Sequence, residues 1–123
     1  MRAPLEIPEA KVLTDPGDLA PFLLDESHLR GVPPLAVVKP HGPRALRELV
    51  RRAKAEGFGL VPRGAGTGKA GGCLPTERTV VVDLSEWPGE IQVSPQDLCL
   101  RAPASAPLRE VKAAAEAHGL FYP

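Results

Sequence analysis

Hydrophobic positions along the chain fall into short blocks, and their spacing switches between strand-like and helix-like periods. Leu35-Ala36-Val37-Val38 is an apolar run closed by prolines on both sides, the pattern of a short buried strand. Pro43 suits a first helical turn, and beyond it Leu46, Leu49, Val50 and Ala53 recur at helical spacing until Gly57 ends the helix. Gly59-Leu60-Val61-Pro62 is long enough only for a strand, and it runs directly into Arg63-Gly64-Ala65-Gly66-Thr67-Gly68. Thr79-Val80-Val81-Val82-Asp83-Leu84, rich in β-branched residues, is the clearest strand, and Ser85 to Gly89 turns the chain. Glu90 to Ser94 and Asp97 to Ala102 alternate polar and apolar residues around Pro95-Gln96, which predicts a hairpin with one buried face. A last helix starts at Ser105 and Pro107, carries Leu108, Val111, Ala115 and His118 on one stripe, and stops at Gly119.

The residues before this series read differently. Up to Pro34 the chain combines a short helix around Asp18 to Leu24 with loops at Asp25-Glu26-Ser27 and Gly31-Val32-Pro33-Pro34. The expected organisation is a lead-in over 1–34 followed by one regular unit over 35–123. The order strand, helix, strand, strand, hairpin, helix predicts an α+β fold: a small mixed sheet with helices packed on one side. No internal repeat at solenoid period is visible.

Composition narrows the function. At 123 residues the chain is one small domain, short for an enzyme that carries both a cofactor and a substrate module. Fifteen basic residues balance fifteen acidic ones, so no net field draws a polyanion, and nucleic acid is not an expected partner. Cys73 and Cys99 stand far apart with no CxxC pair and no histidines at ligand spacing, so neither a metal site nor a disulfide framework is expected. His28, His41 and His118 lie in different predicted elements and form no triad pattern. The N-terminal residues lack the apolar core of a signal peptide, and no later run approaches membrane-spanning length; the expected location is the cytoplasm. Arg44, Arg47, Arg51 and Arg52 share a helix with Glu48 and Glu56, the composition of a solvated face.

The chemistry is concentrated between Arg63 and Cys73. A phosphate-binding P-loop is excluded, because Arg63 stands where its first glycine belongs and Ala70, not Ser or Thr, follows Lys69. A dinucleotide fingerprint fits formally as Gly66-x-Gly68-x-x-Gly71, but Gly71-Gly72 and Pro75 prevent the helix that should hold its third glycine. There remains a glycine-rich loop that leaves a strand without entering a helix and can turn successive N–H groups toward an anion. Thr67 offers a hydroxyl, and Arg63 and Lys69 offer charge or simply face solvent. Read alone, the same cluster also fits an ordinary surface loop.

Its context distinguishes the two. Pro62-Arg63-Gly64-Ala65-Gly66-Thr67-Gly68-Lys69-Ala70-Gly71-Gly72-Cys73-Leu74-Pro75 resembles the flavin loop of the FAD-linked oxidases of the vanillyl-alcohol oxidase (PCMH) type, on the side of the glycolate oxidase flavin subunits and FAD-linked D-lactate dehydrogenases. The resemblance extends, in order, to Pro34-Leu35-Ala36-Val37-Val38-Lys39-Pro40, to Val80-Val81-Val82-Asp83-Leu84-Ser85 and to Gly119-Leu120-Phe121-Tyr122-Pro123. It implies FAD as cofactor, lying between two α+β subdomains of which this chain supplies the first. It implies main-chain contacts to the pyrophosphate from Gly64, Ala65, Gly66, Thr67 and Gly68, then from Gly72 and Cys73, the last through its N–H with the thiol incidental. Gly66→Val is expected to abolish FAD binding.

The resemblance also sets limits. Lys69 replaces a residue that is usually apolar, and Pro103-Ala104-Ser105 replaces an Ala-Gly-Val-like turn. The family continues past its Tyr-Pro pair into a second glycine-rich flavin segment and a substrate domain with the catalytic residues, whereas this chain ends at Pro123. No catalytic residue is therefore assigned, and a 2-hydroxy-acid substrate is expected only of the complete enzyme, with a second chain as one way to complete the flavin site. The alternative is a non-catalytic half-domain that binds no flavin alone and acts as a partner module or a vestige. Asp83 is expected to cap a turn more than to bind a ribose, and Trp87 to pack.

Overall fold

The computed structural model describes residues 5–123. Four strands form the main sheet: β1 (Ala10–Leu13), β2 (Ala36–Pro40), β3 (Gly59–Arg63) and β4 (Thr79–Asp83), in the spatial order β1-β2-β4-β3. β4 lies between β2 and β3 and is parallel to both, while β1 runs antiparallel to β2 along the other edge. The sheet is mixed, as the α+β reading requires. β4 is buried at every position, which explains why its sequence reads as an unbroken β-branched run and not as an alternation.

The helix α2 (Pro43–Glu56) connects β2 to β3 and leaves between them the place that β4 later fills. Pro43 occupies its first turn, and Gly57 closes it in the left-handed conformation (φ 70°), its N–H donating to the carbonyl of Ala53. Ala45, Leu49 and Ala53 pack on one sheet face against Ala36, Val38, Val80 and Val82, with Ile7 and Phe58 completing the cluster. The alternate residues Val37 and Val81 point to the opposite face, where Leu19, Leu13 and Phe22 cover them. Leu19 and Phe22 come from α1 (Pro16–Leu19) and the single 3₁₀ turn Ala20–Leu23 that continues it. A short helix was expected around Asp18 to Leu24 and is found there. β1 was not expected: its four residues Ala10-Lys11-Val12-Leu13 carry no readable alternation, yet they pair with Pro40 to Val37 and draw the lead-in into the sheet.

The remaining elements form a smaller layer. β5 (Gln92–Ser94) and β6 (Cys99–Arg101) make the predicted antiparallel hairpin, with Ser94 opposite Cys99 and Leu98 in a left-handed conformation at the turn (φ 53°). α3 (Leu108–Ala117) follows Pro107 and is succeeded by Gly119 at φ 70°. Of its predicted stripe only Val111 and Ala115 are buried; Leu108 is 56% exposed and His118 lies at the helix end, its ring against the carbonyl of Ala114. Among the described residues no helix is long and apolar enough to cross a membrane.

Leu49 is fully buried and Val50, its neighbour on α2, is 50% exposed. Leu49→Ala is expected to lower the unfolding free energy by about 2–5 kcal/mol and Val50→Ala by about 0.5 kcal/mol or less. Chemical denaturation of the two variants measures both, and equal losses would contradict the packing described.

Candidate functional site

β3 and β4 are parallel neighbours, so the chain leaving Arg63 must travel back along the sheet before Thr79 can start β4. Residues 64–78 make that return without a helix. The second half of the return is anchored: Pro75 is fully buried, its carbonyl accepts the N–H of Val32 at 2.9 Å, and a Cβ added to Gly31 would stand 2.7 Å from the Pro75 ring. Thr79 then fixes the entry to β4, its hydroxyl donating to the Thr76 carbonyl at 2.7 Å and accepting the Thr76 N–H at 3.2 Å.

The first half, Gly64 to Cys73, is built differently. Among the described residues, none of its main-chain N–H groups donates to another residue of the chain. Gly64, Ala65, Thr67, Gly68, Lys69, Ala70 and Gly72 are exposed, and Gly66 and Cys73 are half-buried. The glycines fall into two classes. Gly66 (φ 72°) and Gly71 (φ 75°) are left-handed, and a Cβ on Gly66 would lie 2.3 Å from the Arg63 guanidinium, so the fold itself requires glycine there. At Gly64, Gly68 and Gly72, by contrast, an added Cβ meets nothing within 4 Å and φ is outside the left-handed range. Among the described residues, nothing demands glycine at those three positions.

Arg63 is half-buried, and its guanidinium is held by the chain and not loose. Its guanidinium donates to the carbonyls of Leu24 (2.8 Å), Phe22 (3.3 Å) and Pro21 (3.4 Å), and lies 5.4 Å from the centre of the Phe22 ring. It also reaches the Cys73 sulfur at 3.6 Å, and that thiol lies 3.6 Å from Asp25 Oδ2. Asp25 Oδ1 accepts the N–H of Ser27 at 2.9 Å and its hydroxyl as well. The Ser27 hydroxyl bond, aided by the Ser27 N–H, the Cys73 thiol and Arg63, outweighs partial burial and holds the Asp25 carboxyl below the usual carboxylate range. Burial pushes the Cys73 thiol up, the nearby guanidinium only partly opposing it. Lys69 and Thr67 form no ion pair or side-chain hydrogen bond among the described residues.

The other polar residues behave as the sequence reading has them. Asp83 is 5% exposed; Oδ1 accepts the Ser85 N–H at 2.9 Å, which caps the turn, and Oδ2 lies 3.2 Å from Lys39. Burial disfavours the Lys39 ammonium, but Glu86 and Asp83 outweigh it and raise its pKa above the ordinary lysine value. Trp87 is half-buried, its carbonyl accepting the Ser105 hydroxyl at 2.6 Å. His28, His41 and His118 are exposed, and the α2 arginines Arg44, Arg51 and Arg52 pair with Glu9, Glu48 and Glu56.

The strand β3 thus opens into a glycine loop whose N–H groups have no partner among the described residues. The chain belongs to the FAD binding domain family, which it matches over residues 34–123, and FAD is its cofactor. It is 30% identical over 117 residues to a D-2-hydroxyglutarate dehydrogenase of Xanthomonas citri pv. viticola, a span covering 95% of this chain and 25% of that protein. It is also 30% identical over 87 residues to a D-lactate dehydrogenase of Archaeoglobus fulgidus, covering 71% of this chain and 19% of that one. The chain thus spans about a quarter or less of the length of these curated relatives.

Sequence reasoning found the loop but missed its foundation. Arg63 appeared as a charge available to a ligand, because its partners are main-chain carbonyls and leave no side-chain signature.

Because the folded state favours the neutral Cys73 thiol, the stability this group contributes is present below the ordinary thiol pKa and is lost as pH rises through the higher folded value. In a Cys99→Ser variant, the pH profile of iodoacetamide modification is expected to have its midpoint above that of a free cysteine. A midpoint at or below the free-thiol value would contradict the burial argument.

Proposed function

We propose that this chain is the flavin-binding part of an FAD-dependent oxidoreductase that acts on a 2-hydroxy acid of the glycolate or D-lactate type. In this reading the main chain of Gly64, Ala65, Gly66, Thr67 and Gly68, with Gly72 and Cys73, holds the FAD pyrophosphate. The observation that carries the reading is the second class of glycines: Gly64, Gly68 and Gly72 have open space where a Cβ would stand, in a loop with unpartnered N–H groups. A ligand pressed against the main chain accounts for both features at once. Unpaired N–H groups supply donors to an anion, and missing Cβ atoms let it approach.

Bound FAD would supply hydride-accepting redox chemistry for oxidation of the hydroxy acid. The contribution of this chain is to bind and orient. Successive N–H donors fix the pyrophosphate, and the strand β3 that leads into them fixes where the loop begins. The substrate class rests on the relatives, one named for D-2-hydroxyglutarate and the other for D-lactate, both 2-hydroxy acids.

A second reading, a half-domain that needs a further surface before flavin binds, is favoured by one feature. Val93, Leu98, Leu100, Ala115, Leu120, Phe121 and Tyr122 line an apolar groove of about 400 Å³, with Leu98 and Phe121 77% and 82% exposed. The absorbance spectrum of the purified chain with FAD separates the two: a protein-shifted flavin spectrum supports binding by this chain alone, and a free-flavin spectrum supports the need for the further surface.

Substitution of Gly66 does not test the loop cleanly, because its Cβ would collide with Arg63 whether or not FAD is present. Gly68→Val is the cleaner variant. It is expected to leave the thermal midpoint unchanged and to weaken FAD binding by about tenfold or more, the loss of one or more charge-assisted hydrogen bonds. Flavin fluorescence titration measures this, and wild-type affinity in Gly68→Val would remove the loop from the flavin site.

A further inference from the structure

We propose that Arg63 is a positioning residue of the flavin loop, tying the segment Pro21 to Leu24 to the underside of Gly66 and so holding the loop in its binding shape. The inference rests on the loop reading above and names the part of the molecule that makes the loop rigid.

Arg63 is the last residue of β3, and its carbonyl is fixed to the sheet by the N–H of Leu84 at 2.9 Å. From that anchored base its guanidinium meets three carbonyls at the end of the 3₁₀ turn Ala20–Leu23, those of Pro21, Phe22 and Leu24. Carbonyls at a helical end lack intrahelical partners, and a planar guanidinium with five donors in a fixed fork can serve several of them at once. The Phe22 ring beneath it, 5.4 Å from centre to Cζ, fixes the plane of the fork. On its other side the guanidinium touches the loop: the space a Gly66 Cβ would need is filled by Arg63 atoms at 2.3, 2.8 and 3.1 Å. The same cation is therefore wedged between the lead-in carbonyls and the loop main chain.

A second tie joins the far end of the loop to the same segment. Cys73 Sγ lies 3.6 Å from both Arg63 Nη1 and Asp25 Oδ2, and Asp25 is held in turn by Ser27. Both ends of the stretch Gly66 to Cys73 are thus referred to residues 21–27, which precede the part of the chain matched to the flavin family at residue 34. With both of its terminal nitrogens engaged, by three carbonyls and the Cys73 sulfur, Arg63 acts on the cofactor through loop shape and not as a direct ligand of the phosphates.

The test compares Arg63→Lys and Arg63→Met in the full chain, with two readouts: FAD affinity by fluorescence titration, and backbone ¹⁵N order parameters without FAD. Lysine keeps the charge but lacks the fork, so both variants are expected to lose FAD affinity at least tenfold, lysine no less than methionine. Order parameters are expected to fall toward about 0.6 in 64–73 and in 20–27 together, while α2 and β4 keep rigid values. Wild-type affinity in Arg63→Lys would overturn the proposal in favour of a direct charge contact, and unchanged order parameters in either segment would overturn it as well. A residue that only stabilises the fold would lower the thermal midpoint and leave the affinity of the folded fraction unchanged, which also overturns it. If the methionine variant does not fold, Arg63→Lys alone carries both readouts, and wild-type values in either overturn the proposal. Should the unsubstituted chain take up no FAD, binding by this chain alone fails, while the order parameters still decide whether Arg63 couples the two segments.

Discussion

The parallel pairing of β3 with β4 constrains everything around it. Parallel neighbours cannot be joined by a tight turn, and the usual solution is a helix packed on the sheet. Here the return is made by residues 64–78 with no helix, so the main chain of that connection keeps hydrogen-bonding groups that a helix would have consumed internally. The cost is that an irregular segment must be held in one shape by something other than its own ladder. Pro75 against Gly31 holds the returning half, and Arg63 with the carbonyls of residues 21–24 holds the outgoing half. The lead-in is consequently structural support for the loop, and its small strand β1 and buried Ile7 bind that support to the sheet.

Much of this was legible in the sequence. The strands at 36–40, 59–63 and 79–83, the helix after Pro43, the hairpin around Pro95-Gln96 and the last helix all follow from apolar spacing and from Gly and Pro at their ends. Those signals are local, and so they survive without knowledge of the tertiary structure. What was not legible is what depends on distant partners. β1 is four residues long and is a strand only because β2 offers it an edge. The insertion of β4 between β2 and β3 is only partly marked: a β-branched run suits a central strand and Pro62 suits an edge, but neither names its neighbours. The glycine loop was found as a composition, but the distinction between glycines the fold requires and glycines it does not requires coordinates.

That distinction relates the structure to flavin binding. A loop can be rich in glycine because its backbone turns tightly or because something else comes close to it. Gly66 and Gly71 belong to the first kind, with left-handed backbones packed against Arg63 and Leu29. At Gly64, Gly68 and Gly72 the described residues supply no reason of the first kind, which leaves the second. Membership of the FAD binding domain family is why the proposed flavin contact is placed on that second kind.

Pro62 has a further consequence. β3 is an edge strand, and because the Arg63 carbonyl faces β4, the alternate residue Pro62 turns its main-chain nitrogen to the open side. A strand from another molecule arriving there would find a missing donor in the middle of the edge, immediately before the glycine loop. Self-association through that edge is blunted at the point where β3 opens into the glycine loop, so the loop stays uncovered on that side.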